Sequence, residues 1–511
     1  MRKKIELNKL YSFVKVVIFF SILTILIWAA TNVTERKESY KKYADFMELS
    51  KQIDVLFLGS SHVYDGINPM QLYAEYGITS YNMAKHGGMV TESYWALMNA
   101  LDYCKPKCVV VDLWALDRDY QYVDTQDGEN RIVDGNKAVS FLHDNMDFWP
   151  LSKTKMASIN DLIQSTDIKK EFLWDFIVYH DRWDSLEVND FKIFNGKGTV
   201  ESNLGANLIY MVEPKLGTYK EVSEGILEKE TVSMQYLYKI LDECEAREIE
   251  VILTFLPMVE SYHQDWQAVN TATKIAEERD VLFINMLPHD VQNIINYKTD
   301  MFDPTHANTF GMRKITSYLG RYISEVEGII DHRGDNEYQA WADKVSHWQG
   351  DEIQKLLNED NLYLELGQIC NLNANAIVFM KGNSQALHDP LIQEFVMQLS
   401  GSPNILEAAK CNGPYLLIRE ATSGEMQIQE FVGEQQVESF ESVFGDTHYI
   451  GMKDFSAIYV DGSMEYNYLD MEEHYTSEVQ ISILGQEGEI MSQLFYDPNW
   501  NYMEIGESYK N

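Results

Sequence analysis

Residues 54–62 read Asp-Val-Leu-Phe-Leu-Gly-Ser-Ser-His, and this stretch decides the fold. The four apolar residues Val55 to Leu58 end at a turn signal, which is typical of a strand buried on both faces of a parallel sheet. Gly59 allows the chain to turn sharply, so a hydroxyl after it stands at the carboxyl edge of the sheet. In open α/β sheets, functional sites form at this edge.

A second motif, Asp303-Pro304-Thr305-His306, precedes an amphipathic helical pattern. Together with the first stretch it supplies the parts of an acyl-transfer triad. His306 is the predicted base that takes the proton of Ser61, and Asp303 is predicted to hold the imidazole in the required tautomer. Ser60 is the alternative nucleophile, although a sharp turn more naturally presents the residue two after the glycine.

Acyl transfer through a serine also requires fixed N–H donors for the negatively charged oxygen of the tetrahedral intermediate. We expect the backbone amides of Ser61 and Gly87 to serve as these donors. His62 and His86 lie near the same edge. Because neither has an acidic residue beside it, both are predicted to be hydrogen-bonded wall residues and not bases.

The pattern around these motifs predicts an α/β fold with a doubly wound, parallel, five-stranded sheet. The predicted domain covers residues 45–330 and carries an insertion over 115–222, where the strand–helix rhythm is lost. The five strands are predicted at Asp54–Leu58, Ser80–Ala84, Cys108–Leu113, Ile249–Leu256 and Val281–Asn285.

The predicted insertion is rich in aromatic residues. Aromatic side chains could wall a sugar-binding cleft, but a core for the insertion itself is the favoured interpretation because aromatic residues mostly bury. The residues concerned are Trp149, Phe172, Trp174, Phe176, Tyr179 and Trp183.

The N-terminal residues indicate a membrane anchor. Residues 1–10 are basic, and 11–31 are apolar enough to be a transmembrane helix that contacts the lipid bilayer. A cleaved signal peptide is the alternative, but residues 28–32 lack a clear A-x-A pattern. Basic residues are slightly more numerous before the span, so the positive-inside rule favours a single-pass cell-membrane protein with residues 1–10 cytoplasmic and the body extracytoplasmic.

The remaining chain predicts a helical linker at 331–358 and a smaller α+β accessory domain at 359–511. In that domain we expect one helix, near Pro390–Leu399, and a closing hairpin over Gly485-Gln486-Glu487-Gly488. The strands are predicted at Ala376–Met380, Tyr415–Arg419, Met426–Phe431, Phe455–Val460, Val479–Leu484 and Ile490–Phe495.

Composition excludes several classes of function. The 511 residues favour two domains, and the formal net charge of −37 argues against nucleic acid as a partner. Five cysteines are too few for a disulfide framework. The chain shows neither a metal-ligand spacing nor a P-loop, so we expect no metal and no cofactor.

Across about residues 52–328 the chain resembles the SGNH (GDSL-like) hydrolase superfamily. The resemblance implies a flavodoxin-like fold with Ser61 as nucleophile, Gly87 as an oxyanion donor, His306 as base and Asp303 as its partner. It rests on the blocks Gly59-Ser60-Ser61-His62, Asn82-Met83-Ala84-Lys85-His86-Gly87 and Asp303-Pro304-Thr305-His306.

One block departs from the superfamily, in which an Asn after the third strand is a further oxyanion donor. This chain instead has Asp112-Leu113-Trp114. His62, Asn82 and Asp112 are the candidate wall residues of the site. The chain is similar to the membrane-anchored DltD-like and alginate-acetylation branches, which act on cell-envelope polymers.

The expected function is therefore that of an extracytoplasmic serine esterase or O-acyltransferase. Its expected partners are an acylated carbohydrate or cell-wall polymer and, for a transferase, a membrane protein that exports acyl groups. The first alternative is a catalytically inactive envelope scaffold that binds carbohydrate. A lipase or thioesterase is a weaker alternative because the sequence shows no apolar acyl groove.

Overall fold

The computed structural model describes residues 2–34, 37–125, 135–147, 149–174, 176–188, 190–191, 202–213, 219–287, 294–422, 424–433, 439–448 and 477–499. Its helices are α1 Arg2–Thr34, α2 Lys37–Leu49, α3 Ser61–Tyr64, α4 Pro69–Tyr76, α5 Val90–Leu101, α6 Gly135–Met146, α7 Lys153–Leu162, α8 Thr166–Glu171, α9 Phe176–Tyr179, α10 Val232–Glu245, α11 His263–Arg279, α12 Thr309–Ile323, α13 Gln339–Asn358, α14 Leu362–Leu372, α15 Pro390–Ser400 and α16 Asn404–Cys411. Its strands are β1 Val55–Leu58, β2 Ser80–Asn82, β3 Cys108–Asp112, β4 Tyr219–Lys220, β5 Glu250–Phe255, β6 Glu260–Ser261, β7 Leu282–Asn285, β8 Asn375–Met380, β9 Tyr415–Glu420, β10 Gln427–Val432, β11 Ser439–Ser442, β12 Gly445–His448, β13 Val479–Leu484 and β14 Ile490–Tyr496.

The predicted five-stranded parallel sheet is confirmed, with the strand order β2-β1-β3-β5-β7. Strand β1 lies between β2 and β3, and its successive side chains point to opposite faces. Val55 and Phe57 enter one apolar cluster, whereas Leu56 and Leu58 enter another. Because both faces of the sheet are buried, the sequence of β1 consists of consecutive apolar residues and does not alternate with polar ones.

The aromatic residues of the insertion do not form a separate core. Trp149 and Phe172 are buried in the same apolar cluster as Leu56 of β1. In contrast, Trp174 and Trp183 are exposed, with 71% of Trp183 accessible. The prediction that the aromatic residues of the insertion are core residues is therefore wrong for these two tryptophans, whose rings are left accessible by what packs around them.

The C-terminal region contains a second, antiparallel sheet with the order β10-β9-β8-β13-β14. The predicted hairpin is confirmed as the β13–β14 pair. The expectation of one helix is wrong, since α14 and α16 accompany α15 in the apolar cluster beneath this sheet. The predicted strand Phe455–Val460 lies outside the described residues. The predicted domain boundaries at 45, 330 and 359 stay predictions.

The N-terminal helix α1 includes Leu10–Thr34, a stretch of 25 residues long and apolar enough to cross a membrane. Its large apolar side chains are exposed, as expected for a helix that lipid would cover. Near its end, Arg182 donates a 2.7 Å hydrogen bond from Nη1 to the carbonyl oxygen of Thr34. The insertion therefore contacts the end of the apolar helix.

Candidate active site

The turn after β1 places Ser61 at the first position of α3. Gly59 has a φ of +157°, and a Cβ there would lie 2.7 Å from Cγ2 of Val63, so the turn requires a residue without a side chain. Ser60 caps the helix, because its Oγ accepts a 3.3 Å hydrogen bond from the amide of His62. Ser60 is thus occupied in holding the turn, and Ser61 faces the second motif.

Ser61, His306 and Asp303 form a continuous hydrogen-bonded chain. The Oγ of Ser61 lies 2.7 Å from Nε2 of His306. The Nδ1 of His306 lies 2.9 Å from Oδ1 and 2.8 Å from Oδ2 of Asp303. With Nδ1 protonated and donating to the carboxylate, Nε2 has a free lone pair directed at the serine hydroxyl.

The carboxylate of Asp303 is held in its charged form. Burial alone would raise its pKa, but hydrogen bonds from the His306 ring and from the amides of Thr305 and His306 outweigh that effect and lower the pKa to about 2. Thr305 Oγ1 also lies 3.1 Å from Asp303 Oδ1. An ionised Asp303 can therefore orient His306 and stabilise the imidazolium over a wide pH range.

His62 is buried beside His306. Its ring meets that of His306 edge to face at 5.2 Å and lies 4.9 Å from the ring of Trp114. Both ring nitrogens are buried without a hydrogen-bond partner among the described residues. Burial, reinforced by the neighbouring His306, lowers the pKa of His62 well below its ordinary value. His62 is therefore a neutral packing partner of the base, without the hydrogen bonds expected of it.

The loop that carries Gly87 reaches the serine turn. A Cβ on the adjacent Gly88 would lie only 2.6 Å from the carbonyl oxygen of Gly59, so the two backbones are in close contact. Among the described residues, the amides of Ser61 and Gly87 donate no hydrogen bond. Both are available for an incoming oxyanion, and their use as its donors stays a prediction.

The side-chain amide of Asn82 is occupied by backbone groups next to the site. Its side chain is fully buried at the end of β2. Nδ2 donates to the carbonyl oxygens of Val63 at 2.8 Å and Ile67 at 3.2 Å, and Oδ1 accepts from the amide of Ala84 at 3.0 Å. Asn82 thereby ties α3 to the strand that leads to the Gly87 loop.

Asp112 closes β3 at the position where the resemblance calls for an asparagine. Its Oδ1 accepts from the amide of Leu256 at 3.1 Å, and its Oδ2 accepts from the amide of Trp114 at 3.3 Å. Burial raises the pKa of this carboxyl to about 7, against the opposing effect of these hydrogen bonds. Both oxygens are committed to the backbone, so Asp112 braces two strand ends.

Three further titratable groups surround the site, and sequence reasoning passed over two of them. Burial raises the pKa of Asp65 to about 6, and Asn207 donates to its Oδ1 at 2.8 Å. Burial lowers the pKa of Lys42 to about 7, and its Nζ donates to the carbonyl oxygen of Ala84 at 2.9 Å. Burial lowers the pKa of His86 to about 4. In the sequence, Asp65 could have been recognised as a site residue only by its spacing, since it follows Ser61 by four residues, about one helical turn.

Comparisons with known proteins add little to this geometry. A protein of the lipolytic G-D-S-L family from Desulfitobacterium hafniense DCB-2 aligns at 11% identity and a TM-score of 0.26, covering 52% of this chain and 97% of its own. A GDSL-like lipase from Bacteroides thetaiotaomicron VPI-5482 aligns at 11% identity and a TM-score of 0.28, covering 57% and 99%. Values this low carry no argument about a shared fold, and the fold described above rests on this chain's own strand order and register. No protein-family model and no curated protein sequence matches the chain.

The arrangement has the parts required for nucleophilic catalysis by a serine. A base lies within hydrogen-bond reach of the hydroxyl, and a third group orients that base. Among the described residues, no cluster of histidine, cysteine and acidic side chains could hold a metal ion. The site therefore offers acyl chemistry through Ser61 as its best-supported use.

Proposed function

We propose that this protein is an SGNH-type serine esterase or O-acyltransferase that works through an acyl-serine intermediate. The observation that carries the proposal is the 2.7 Å contact between Ser61 Oγ and His306 Nε2, with Asp303 on the opposite ring nitrogen. A serine hydroxyl is a weak nucleophile until such a base activates it.

In the proposed reaction, Nε2 of His306 takes the proton of Ser61 as Oγ attacks an ester carbonyl. The amides of Ser61 and Gly87 receive the oxyanion, and His306 then returns the proton to the leaving alcohol. The acyl group now rests on Ser61. Attack by water completes a hydrolysis, whereas attack by a sugar hydroxyl completes a transfer, so one site serves either outcome.

We place the substrate among acylated carbohydrates of the cell envelope or exported polysaccharide. Support comes from the membrane-spanning character of Leu10–Thr34 and from the exposed apolar side chains Trp174, Ile177 and Trp183, which lie on the segment next to the end of that helix. An enzyme held at the membrane in this way, with its body on the extracytoplasmic side, meets envelope polymers at high local concentration.

The proposal is tested by labelling the purified full chain in detergent with a fluorophosphonate probe, which reacts with activated serines. Wild type should be labelled, whereas Ser61→Ala and His306→Ala should not be. Ser60→Ala is the variant for the neighbouring hydroxyl: it removes the cap of α3 and should slow labelling, but it leaves the Ser61–His306 contact and should not abolish the label.

A folded wild type that stays unlabelled would contradict the proposal and favour the inactive-scaffold alternative. That alternative has one observation behind it, since Asp112 stands where the superfamily's additional oxyanion donor would be and both of its oxygens are occupied by backbone amides. If the label were lost in Ser60→Ala but kept in Ser61→Ala, the assignment of Ser61 as the nucleophile would be wrong.

A further inference from the structure

A cavity of about 420 Å³ lies away from the triad, between α12 and the helices of the C-terminal region. Helix α12 begins at Thr309, shortly after His306, and forms one wall. Gly367 and Cys370 of α14 and Phe395 of α15 contribute the facing wall. Phe310 and Phe395 meet edge to face at 6.1 Å and form an aromatic end to the cavity.

The polar lining of this cavity is mostly cationic. Arg313, Lys314 and Arg321 all project from α12 into it, and the carboxylate that lines it is Asp300. Asp300 is already paired, since its Oδ2 accepts from Lys314 Nζ at 2.6 Å. Among the residues that the structure describes, no second carboxylate lines the cavity to match its two guanidinium groups.

Arg313 is the clearest sign of a missing partner. Its Nη1 is buried and has no hydrogen-bond acceptor among the described residues. The acidic side chain Glu75 accepts instead from Ser317 at 2.6 Å and Gln71 at 2.9 Å, and Glu352 accepts from Tyr210. Glu75 and Glu352 lie near enough to interact electrostatically with the guanidinium, but a buried N–H group left without an acceptor is still costly.

We propose that this cavity binds a small anionic molecule, a carboxylate or phosphate carried on an aromatic or other apolar body. The guanidinium of Arg313 offers a planar fork of N–H donors that suits either anion, and Arg321 supplies a second positive charge near the opening. The phenyl rings of Phe310 and Phe395 receive the apolar part. The proposal does not depend on the chemistry of Ser61.

The net charge of −37 shapes how such a ligand binds. Long-range attraction cannot draw an anion to a strongly acidic protein, so binding must depend on direct contacts inside the cavity. An anion without an apolar body should therefore bind much more weakly than one that also fills the aromatic end.

Isothermal titration calorimetry on the full chain in detergent tests this site with four probes: phenyl phosphate, benzoate, inorganic phosphate and benzyl alcohol. We expect saturable binding of phenyl phosphate, benzoate or both. Inorganic phosphate, which lacks the ring, and benzyl alcohol, which lacks the charge, should each bind at least about tenfold more weakly.

Variants separate this cavity from other sites. Arg313→Gln should weaken binding of the aromatic anion about tenfold, and Arg321→Gln, at an exposed residue whose replacement should leave folding intact, should weaken it as well. Arg247→Gln, which removes the same charge from the turn after α10, outside the cavity, should bind as wild type does. Binding should persist in Ser61→Ala.

The proposal is overturned if neither aromatic anion binds saturably. It is also overturned if binding is unchanged in a folded Arg321→Gln protein, or if binding disappears in Ser61→Ala, which would place the ligand at the triad. If wild type were not labelled by fluorophosphonate, the esterase proposal would fail but the calorimetry results would still stand. The two proposals can therefore be contradicted independently.

Discussion

At the scale of single residues, the serine site is distinguished by buried groups whose charged forms are disfavoured. His62 has two unpartnered ring nitrogens beside His306, and Asp112 has a carboxyl whose pKa is raised to about 7 by burial. His62 is neutral, and Asp303 is the charged group in direct contact with the His306 ring. The raised pKa of Asp112 also makes the free energy of unfolding depend on pH.

Asp112→Asn tests this consequence. The carboxyl ionises near its ordinary value of 3.8 in the unfolded chain and near 7 in the folded one, so the folded state keeps a proton that the unfolded state releases. Stability contributed by Asp112 is therefore lost as pH rises from about 4 to about 7, by at most ~1.4 kcal/mol for each pH unit crossed. Asparagine does not ionise, so the variant should gain stability relative to wild type across this window.

The measurement is the thermal unfolding midpoint of wild type and Asp112→Asn between pH 4.5 and pH 8. The asparagine amide cannot accept from both Leu256 and Trp114, so a constant offset between the two proteins is expected. Only a change in this difference between the two unfolding midpoints as pH changes reports on the ionisation of the Asp112 carboxyl. An offset that stays the same at every pH would contradict a raised pKa for Asp112.

At the scale of elements, the site depends on the junction of β1, α3 and β2. Gly59 turns the chain at the end of β1, Ser60 caps α3, and Asn82 ties the other end of α3 to β2. The serine is thus held from two directions by groups that never touch it. Geometry of this precision is what a preorganised nucleophile requires.

Asn82→Ala should therefore destabilise the protein and lower fluorophosphonate labelling of Ser61. It leaves the carbonyl oxygen of Ile67 and the amide of Ala84 without the partner that Asn82 provides, whereas the carbonyl oxygen of Val63 keeps the amides of Gly66 and Ile67 as donors. Each of the two losses costs on the order of 1 to 2 kcal/mol. We expect about 3 kcal/mol in total, measured by urea unfolding, with labelling slowed at a temperature where the variant is folded.

Ser80→Ala is the matched control on the same strand. Its Oγ is buried without a hydrogen-bond partner among the described residues, so removing it should cost little or even stabilise the protein. Equal destabilisation by the two substitutions would show that β2 responds to any truncation, and the proposed tie through Asn82 would then be wrong.

At the scale of the whole molecule, an apolar helix and an exposed apolar segment lie together. Trp183 is 71% accessible on the segment that contacts α1 near Thr34. Tryptophan favours the interface between lipid and water, where its ring is partly apolar and its N–H stays hydrated. If α1 spans a bilayer, this segment should therefore rest in the headgroup region.

Reconstitution of the full chain into vesicles containing brominated lipids tests this arrangement, since bromine quenches nearby indole fluorescence. Trp183→Phe should lower the fraction of emission that is quenched. Trp341→Phe, which replaces a fully buried tryptophan of α13, should not lower it. Equal quenched fractions in wild type and Trp183→Phe would contradict contact between this segment and the lipid.

The amino-acid sequence determined the parts that depend on local patterns. Apolar runs between turn signals placed all five strands of the parallel sheet within one or two residues of their observed ends. The Gly59 turn and the Asp303–His306 spacing marked the residues that meet at the site. These features are local because a strand or a tight turn is encoded in a few consecutive side chains.

Only the tertiary structure decided how these parts meet. The 2.7 Å contact of Ser61 with His306, the ties made by Asn82 and the unpaired Arg313 all depend on groups distant in sequence. The same holds for which insertion tryptophans are buried, because burial depends on what packs against a segment. Periodicity along the chain carries no information about those neighbours, and the close packing of the whole chain supplies it.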